Sequence, residues 1–401
     1  MPSRAPRGEI VDPLGGSSHR PTTAIILSII AVLAVGLGGL AWYFWRPTLA
    51  PEDAGRGAVG NTSPAVAVPN TAAFVENGRT FREYGRQFTT VGIGLGDSYA
   101  SVSGQLAYLA RDGQTMVAVF RDEIWRSEDA DVGDVVQIAD VGGSPALVAL
   151  KPSLSALGGF GSVIFHRGER FGDQYAFARS PLEVQGKLAF VGVDPGKDPS
   201  GADRTAVWHN GSEFAAATGG ALFPFLYDGK LAAAIVDGGS VRVTVVEADG
   251  KETGLPAVQV DATAVKYPDG RVAYVLPTGD HRDAAVVGGK LAMLPLPVNG
   301  KSVVDYDGQT LGGEYDDVLE IAAVGGKLAL LAMKAGTSVV VLDGQEYGQR
   351  YDLREAAGAR QGAEKFFALS QVGEVGGKLT YVAVVGFSPD GEPKRVVVLE
   401  E

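Results

Sequence analysis

Four histidines, His19, His166, His209 and His281, are the residues here with the chemistry for metal binding or proton transfer near neutral pH. No two stand at i, i+2 or i, i+4, the spacings that bring two imidazoles to one ion, so no zinc or non-haem iron site is predicted. Cysteine is absent, which removes thiolate ligands, thiol nucleophiles and disulfides. No Gly-x-Ser-x-Gly elbow occurs, and no Walker loop or Gly-x-Gly-x-x-Gly lies between a strand and a helix. Asp305, Asp307 and Gly308, with Glu314 closing twelve residues, have the outline of a calcium loop. Its first position, however, is Val303 where a carboxylate is required, so the stretch reads as a hairpin turn followed by an exposed acid. Trp125 and Trp208 read as core aromatics near blade edges. The sequence therefore predicts no catalytic, cofactor-binding or metal-binding residue.

The elements around these residues repeat. Gly104-Gln-Leu-Ala, Gly186-Lys-Leu-Ala, Gly229-Lys-Leu-Ala, Gly289-Lys-Leu-Ala, Gly326-Lys-Leu-Ala and Gly377-Lys-Leu-Thr are copies of one phrase, and Gly270-Arg-Val-Ala is a looser one. Each opens an apolar run of five to seven residues bounded by Gly, Asp or Pro, too short for a helix and suited to a buried strand. The phrase is read as the start of the inner strand of its unit. A second apolar run follows and ends in Asp-Gly or Asn-Gly, which supply the positive φ angles of tight hairpins. From phrase to turn the offset is 18 for Gly326 to Gly344, 19 for Gly289 to Gly308, 21 for Gly229 to Gly250 and 25 for Gly186 to Gly211.

Successive phrases lie 43 residues apart (Gly186 to Gly229) or 41 (Gly229 to Gly270), and Gly104 to Gly186 is 82, two units of 41. The unmarked unit between them takes Ala146-Leu-Val-Ala-Leu as its strand and His166-Arg-Gly168-Glu169 as its turn. A period near 40 with about four short strands is the signature of a β-propeller blade. The predicted fold is all-β, a seven-bladed propeller, with six or eight blades as neighbouring counts. The blades fall at 86–128, 129–176, 177–216, 217–257, 258–313, 314–350 and 351–401. The fifth is oversized because Gly270 and Gly289 are only 19 apart, and it holds an extra hairpin or part of an eighth blade.

After each turn comes a short polar strand ending in tyrosine, at Tyr84, Tyr175, Tyr315 and Tyr351, suited to the outer edge of a blade and to packing. The C-terminal blade lacks its final strand, and residues 74–85 begin with one, so the N-terminal strand is expected to close the ring. The Ala-, Glu- and Arg-rich 353–366 favours a short helix.

Tyr267-Pro-Asp-Gly-Arg-Val-Ala-Tyr274 and Phe387-Ser-Pro-Asp-Gly391 resemble the Ser-Pro-Asp-Gly signature of TolB-like, WD40-related bacterial propeller repeats, and residues 339–352 are similar to repeats of that wider group. The resemblance covers about 74–401 and implies fold, with no catalytic residues. Most units carry Val-Gly-Gly in place of Ser-Pro-Asp-Gly, and sialidase-type Asp boxes are absent.

Upstream, residues 23–45 are 23 in number without a charge, enough to cross a bilayer as a helix, and they close on Trp42-Tyr43-Phe44-Trp45 at the expected interface. The run is too long and too aromatic at its end for a cleaved signal peptide. The sequence predicts a cytoplasmic tail at 1–22, a transmembrane helix at 23–45 in contact with lipid, a Pro/Ala/Gly-rich linker at 46–73 and the propeller at 74–401. Arg4, Arg7 and Arg20 before the span against Arg46 and Arg56 after it place the N-terminus inside and the propeller outside the cytoplasmic membrane. Ala34 and Gly38 form a small-xxx-small pair, the feature that would allow a homodimer.

The net charge of −12, and −14 over residues 47–401, excludes a nucleic-acid partner, because phosphate binding needs a basic face. The 56 glycines exceed an average share of roughly 7% and suit a chain that turns often. The functional expectation is a membrane-anchored extracytoplasmic module that binds or scaffolds a protein partner of unknown identity. The alternative is an enzyme acting on envelope polymers, a polysaccharide hydrolase or lyase with carboxylates gathered at the channel.

Overall fold

The computed structural model describes residues 73–92, 98–126, 131–152, 159–196, 202–237, 240–246, 252–254, 259–260, 264–267, 271–275, 281–351, 368–388 and 392–401. The expected span at 23–45, its Ala34/Gly38 pair, the linker up to residue 72 and the helix at 353–366 lie outside these residues. Among the described residues no helix is long and apolar enough to cross a membrane.

Among the described residues the strands pair antiparallel, mostly in sequence order, and gather into eight sheets. Seven have four or five strands and are full blades: blade 1 at 90–125, blade 2 at 135–171, blade 3 at 177–218, blade 4 at 221–254, blade 5 at 281–311, blade 6 at 317–347 and blade 7 at 369–400. The fold is a seven-bladed propeller. The eighth sheet has three short strands, Gln259–Val260, Ala264–Lys266 and Val272–Val275, set between blades 4 and 5. This is the surplus of the oversized fifth repeat.

Blade 6 gives the pattern: Asp317–Val324, Lys327–Lys334, Thr337–Leu342 and Gln345–Tyr347. The first long strands of neighbouring blades (Tyr99–Val102 in blade 1) lie against one another and so line the hub, with Val272–Val275 of the small sheet interposed between those of blades 4 and 5. This corrects the placement of the repeated phrase. Gly-Lys-Leu-Ala opens the second strand, as at Lys187–Asp194, and the Gly is the turn before it. Second strands are buried on both faces and read as continuous apolar runs. Hub strands such as Phe177–Val184 have one face on the channel and carry polar residues, which hid them. The Asp-Gly and Asn-Gly hairpins form as expected: Asp343 and Gly344 have φ of +55° and +71°, and Asn210 and Gly211 +49° and +84°.

At the turn end of the hub, turns of neighbouring blades touch through their main chains. A Cβ on Gly376 of blade 7 would stand 2.6 Å from the carbonyl oxygen of Gly104 in blade 1, closer than real Cβ contacts allow.

Blade 7 closes the ring as the sequence predicts. Arg79–Tyr84 pairs with Pro393–Glu400 in the register Phe81 to Glu400 through Tyr84 to Val397, and Phe74–Glu76 adds a fifth strand outside it. Phe81 is fully buried among Phe74, Tyr347 and Tyr381, with ring centroids 5.6, 5.6 and 6.2 Å away. Arg79 binds Glu400 at 2.8 Å, and Glu83, buried in the seam, accepts from the Tyr351 hydroxyl at 2.8 Å and from Arg86.

Candidate functional site

The hub strands of blades 2, 3, 5, 6 and 7 each break register at one β-bulge near their starts. A bulge leaves a backbone N–H without a ladder partner, and a buried N–H needs an acceptor. Side chains of the preceding blade supply acceptors at or beside the bulges of blades 3, 6 and 7, and one does the same for Ser98, just before the strand Tyr99–Val102 of blade 1. Gln137 Oε1 accepts from Ser180 N at 3.3 Å, Asp283 Oδ2 from Ile321 N at 2.8 Å, Glu320 Oε1 from Val372 N at 3.2 Å and Gln371 Oε1 from Ser98 N at 2.9 Å.

A second tier sits at the turn end. Asp140 accepts from Ser103 N at 2.9 Å, Glu183 from Gly142 N at 3.0 Å and Glu374 from Gly325 N at 2.7 Å. The hub acids are therefore engaged one by one in joining blades. Burial pushes the Asp283 carboxyl above the usual carboxylate range despite its backbone donors. Among the described residues no group of three or more His, Asp or Glu stands close enough to hold a metal ion.

The residues singled out from sequence are dispersed. His166 and His209 end the third strands of blades 2 and 3 and face carbonyls of their own blades, Pro145 O at 3.4 Å and Leu188 O at 3.3 Å. Burial lowers the pKa of both imidazoles, which keeps them neutral with Nδ1–H donating. His281 begins blade 5, away from that pair in the chain. Trp208 stacks on Phe190 at 4.9 Å, a core role, and Trp125 ends blade 1 against the blade 1–2 core. Asp305 and Asp307 lie on a hairpin between Val304–Tyr306 and Gln309–Leu311, where Asp307 pairs with Lys290. Tyr175, Tyr315 and Tyr351 are buried, each just past its outer strand in a turn where its N–H donates to the glycine three residues back. Tyr84 alone lies within the strand itself.

Two features at the opposite end of the ring, where second strands run into third strands, were not singled out from sequence. In blade 5 the connection Leu296-Pro297-Val298-Asn299-Gly300-Lys301 is closed by mutual hydrogen bonds between Val298 and Lys301 (2.9 and 3.2 Å). Leu296 and Val298 are 53% and 72% exposed on it, a costly display of apolar surface on a tip that Pro297 stiffens. Its sequence signal was Pro295-Leu296-Pro297-Val298, two apolar residues each following a proline where a polar turn is expected. The other feature is a cleft of about 640 Å³ between blades 2 and 3, with largely apolar walls and Arg179 exposed on its lining. A lone arginine in a half-polar strand has no signal of its own.

No protein-family model matches the chain, and no curated protein matches it. Among solved structures, a puromycin-hydrolysing peptidase of Mycobacterium tuberculosis is similar at 14% identity and a TM-score of 0.40, over 82% of this chain and 60% of that one. The chain thus spans less than two thirds of that peptidase. The β-propeller domain of the Trilobed protease of Pyrococcus furiosus is similar at 11% identity and a TM-score of 0.40, over 77% and 95%. Virginiamycin B lyase of Staphylococcus aureus is similar at 11% identity and a TM-score of 0.32, over 80% and 99%.

Proposed function

We propose that this chain is a membrane-anchored, extracytoplasmic propeller that docks a protein partner on the loop end of its ring. The observation that carries the reading is the stiff apolar tip at 296–298, whose exposed Leu296 and Val298 are the kind of side chain a partner would bury. The uncharged run at 23–45 and the arginines flanking it support anchoring with the N-terminus inside. The resemblance of the repeats to TolB-like propellers belongs to the same reading. An enzyme on envelope polymers would need carboxylates converging at the channel, and the hub acids described above are bound singly to neighbouring blades.

The test is a photo-crosslinking amino acid at position 298 of the full chain in its own membrane, with position 210 on the turn end as reference. An adduct of one defined mass from 298 alone, abolished by Leu296→Asp, is expected. Identical patterns from both positions, or no adduct, would overturn the reading.

A further inference from the structure

Arg179 and Arg282 occupy the same place in two hub strands, each five residues before the last residue of its strand (Val184 and Val287) and each at the bulge. Arg282 is neutralised across the seam: its guanidinium donates to Asp317 Oδ2 at 2.9 Å and to Val318 O at 3.1 Å in the next blade. In the blade after Arg179 the first strand begins with Ala221, where the blade facing Arg282 begins with Asp317, so no acid stands at the equivalent position. Among the described residues Arg179 has no hydrogen-bond or ion-pair partner, in a chain of net charge −12. It lines the cleft toward blade 2 instead.

That cleft has the build of a small-ligand site. Its volume of about 640 Å³ lies inside the ~300–1,000 Å³ common for such sites. Val136, Val148, Leu150, Phe177 and Val193 supply apolar walls. Its two sides are set by facing bulges, at Val136 in blade 2 and at Ser180 in blade 3, where Ser180 holds φ of +53°. Ser180 N donates to Gln137 Oε1, which orients that amide at the cleft. Buried Ser162 fixes the wall through Ala178 O at 2.8 Å and Ala178 N at 3.1 Å. Asp203, the one acid among the lining residues, accepts from Gly196 N at 3.1 Å and repels an anion from its side.

We propose that the cleft between blades 2 and 3 binds an apolar group ending in a carboxylate, with Arg179 as its counter-charge. A planar guanidinium takes a carboxylate through two parallel N–H···O bonds, and the apolar walls take the rest. The chemistry fits a small aryl or alkyl acid and the C-terminal residue of a peptide alike. The site is distinct from the 296–298 tip, and either can fail without the other.

The experiment measures binding to the full chain in nanodiscs by calorimetry, using 3-phenylpropionate, its uncharged amide, and a tripeptide ending in phenylalanine with a free or amidated C-terminus. Saturable binding of the acids is expected, weakened roughly tenfold or more by amidation and by Arg179→Gln. Val136→Trp, which fills the cleft and spares Arg179, should abolish it, and Arg121→Gln on the turn end should leave it unchanged. Tighter binding of the tripeptide acid than of 3-phenylpropionate assigns the site to peptide ends, and the reverse order assigns it to small acids. Saturable binding that survives Arg179→Gln, or none by any acid, would overturn the proposal.

Discussion

The seam that closes blade 7 and the three-stranded sheet beside blade 4 both complete the ring, and they are built from different materials. The seam joins strands from opposite ends of the chain through a four-residue ladder, the fully buried Phe81 and the buried Glu83. The small sheet has two residue pairs between its first strands and meets blade 4 through rings: Tyr274 stacks on Phe225 at 4.7 Å, and Tyr267 packs on Tyr227 at 4.7 Å. Arg271 lies over the Tyr267 ring at 5.0 Å, and the Tyr267 hydroxyl accepts from Asp228 N at 3.4 Å. Bringing residues 81 and 400 together closes a loop of the whole domain, and that entropy must be offset at the seam itself. The small sheet is tied covalently to the blades on either side and needs less.

This contrast sets the order of mutational effects. Phe81→Ala removes the centre of the seam core and should cost about 3–5 kcal/mol, lowering the urea midpoint of the entire domain in one transition. Loss of blade 7 alone, with the other blades melting as before, would break the comparison.

Two buried carboxylates sharpen it. Burial raises the pKa of Glu83, but hydrogen bonds from Arg86 and Tyr351 outweigh it and hold the carboxyl below the usual range, whereas burial wins at Asp283. Glu83→Gln should cost roughly 1–3 kcal/mol at neutral pH. The wild-type advantage should shrink as pH falls below 4.5 through the lowered pKa, because the stabilising form is the ionised one. Asp283→Asn should show the opposite trend. The wild type gains on that variant as pH falls toward 3.8 through the raised pKa, because the fold prefers the neutral acid. Denaturation at a series of pH values checks both signs, and slopes of the same sign would remove the distinction.

Tyr274→Leu keeps apolar bulk beside blade 4 and loses the stacked pair, an expected cost of about 0.5–1.5 kcal/mol in the same assay. A cost equal to that of Phe81→Ala would place the small sheet on a par with the seam.

The parts of the molecule that repeat were legible in the sequence. Glycine turns, doubly buried second strands such as Lys187–Asp194 and the borrowed strand at 79–84 all announce themselves through composition and offset. The hub strands did not, because a strand with one face on a channel carries Gln137, Glu183 or Glu320 and looks like a polar connector. Bulges erased the two-residue alternation that would have revealed them. The cleft was invisible for another reason: Arg179 differs from Arg282 only in what faces it from the next blade, and that pairing exists in three dimensions alone.

The main-chain contact of Gly376 with Gly104 has a consequence for size. Where turns meet without side chains between them, the pitch from one blade to the next is a property of the backbone and cannot be padded by a bulkier residue. A wheel with a fixed pitch accepts only certain numbers of spokes. The turn beside the small sheet is Asp228-Gly229, braced by the Tyr267 hydroxyl, so a side chain stands there where Gly376 and Gly104 have none.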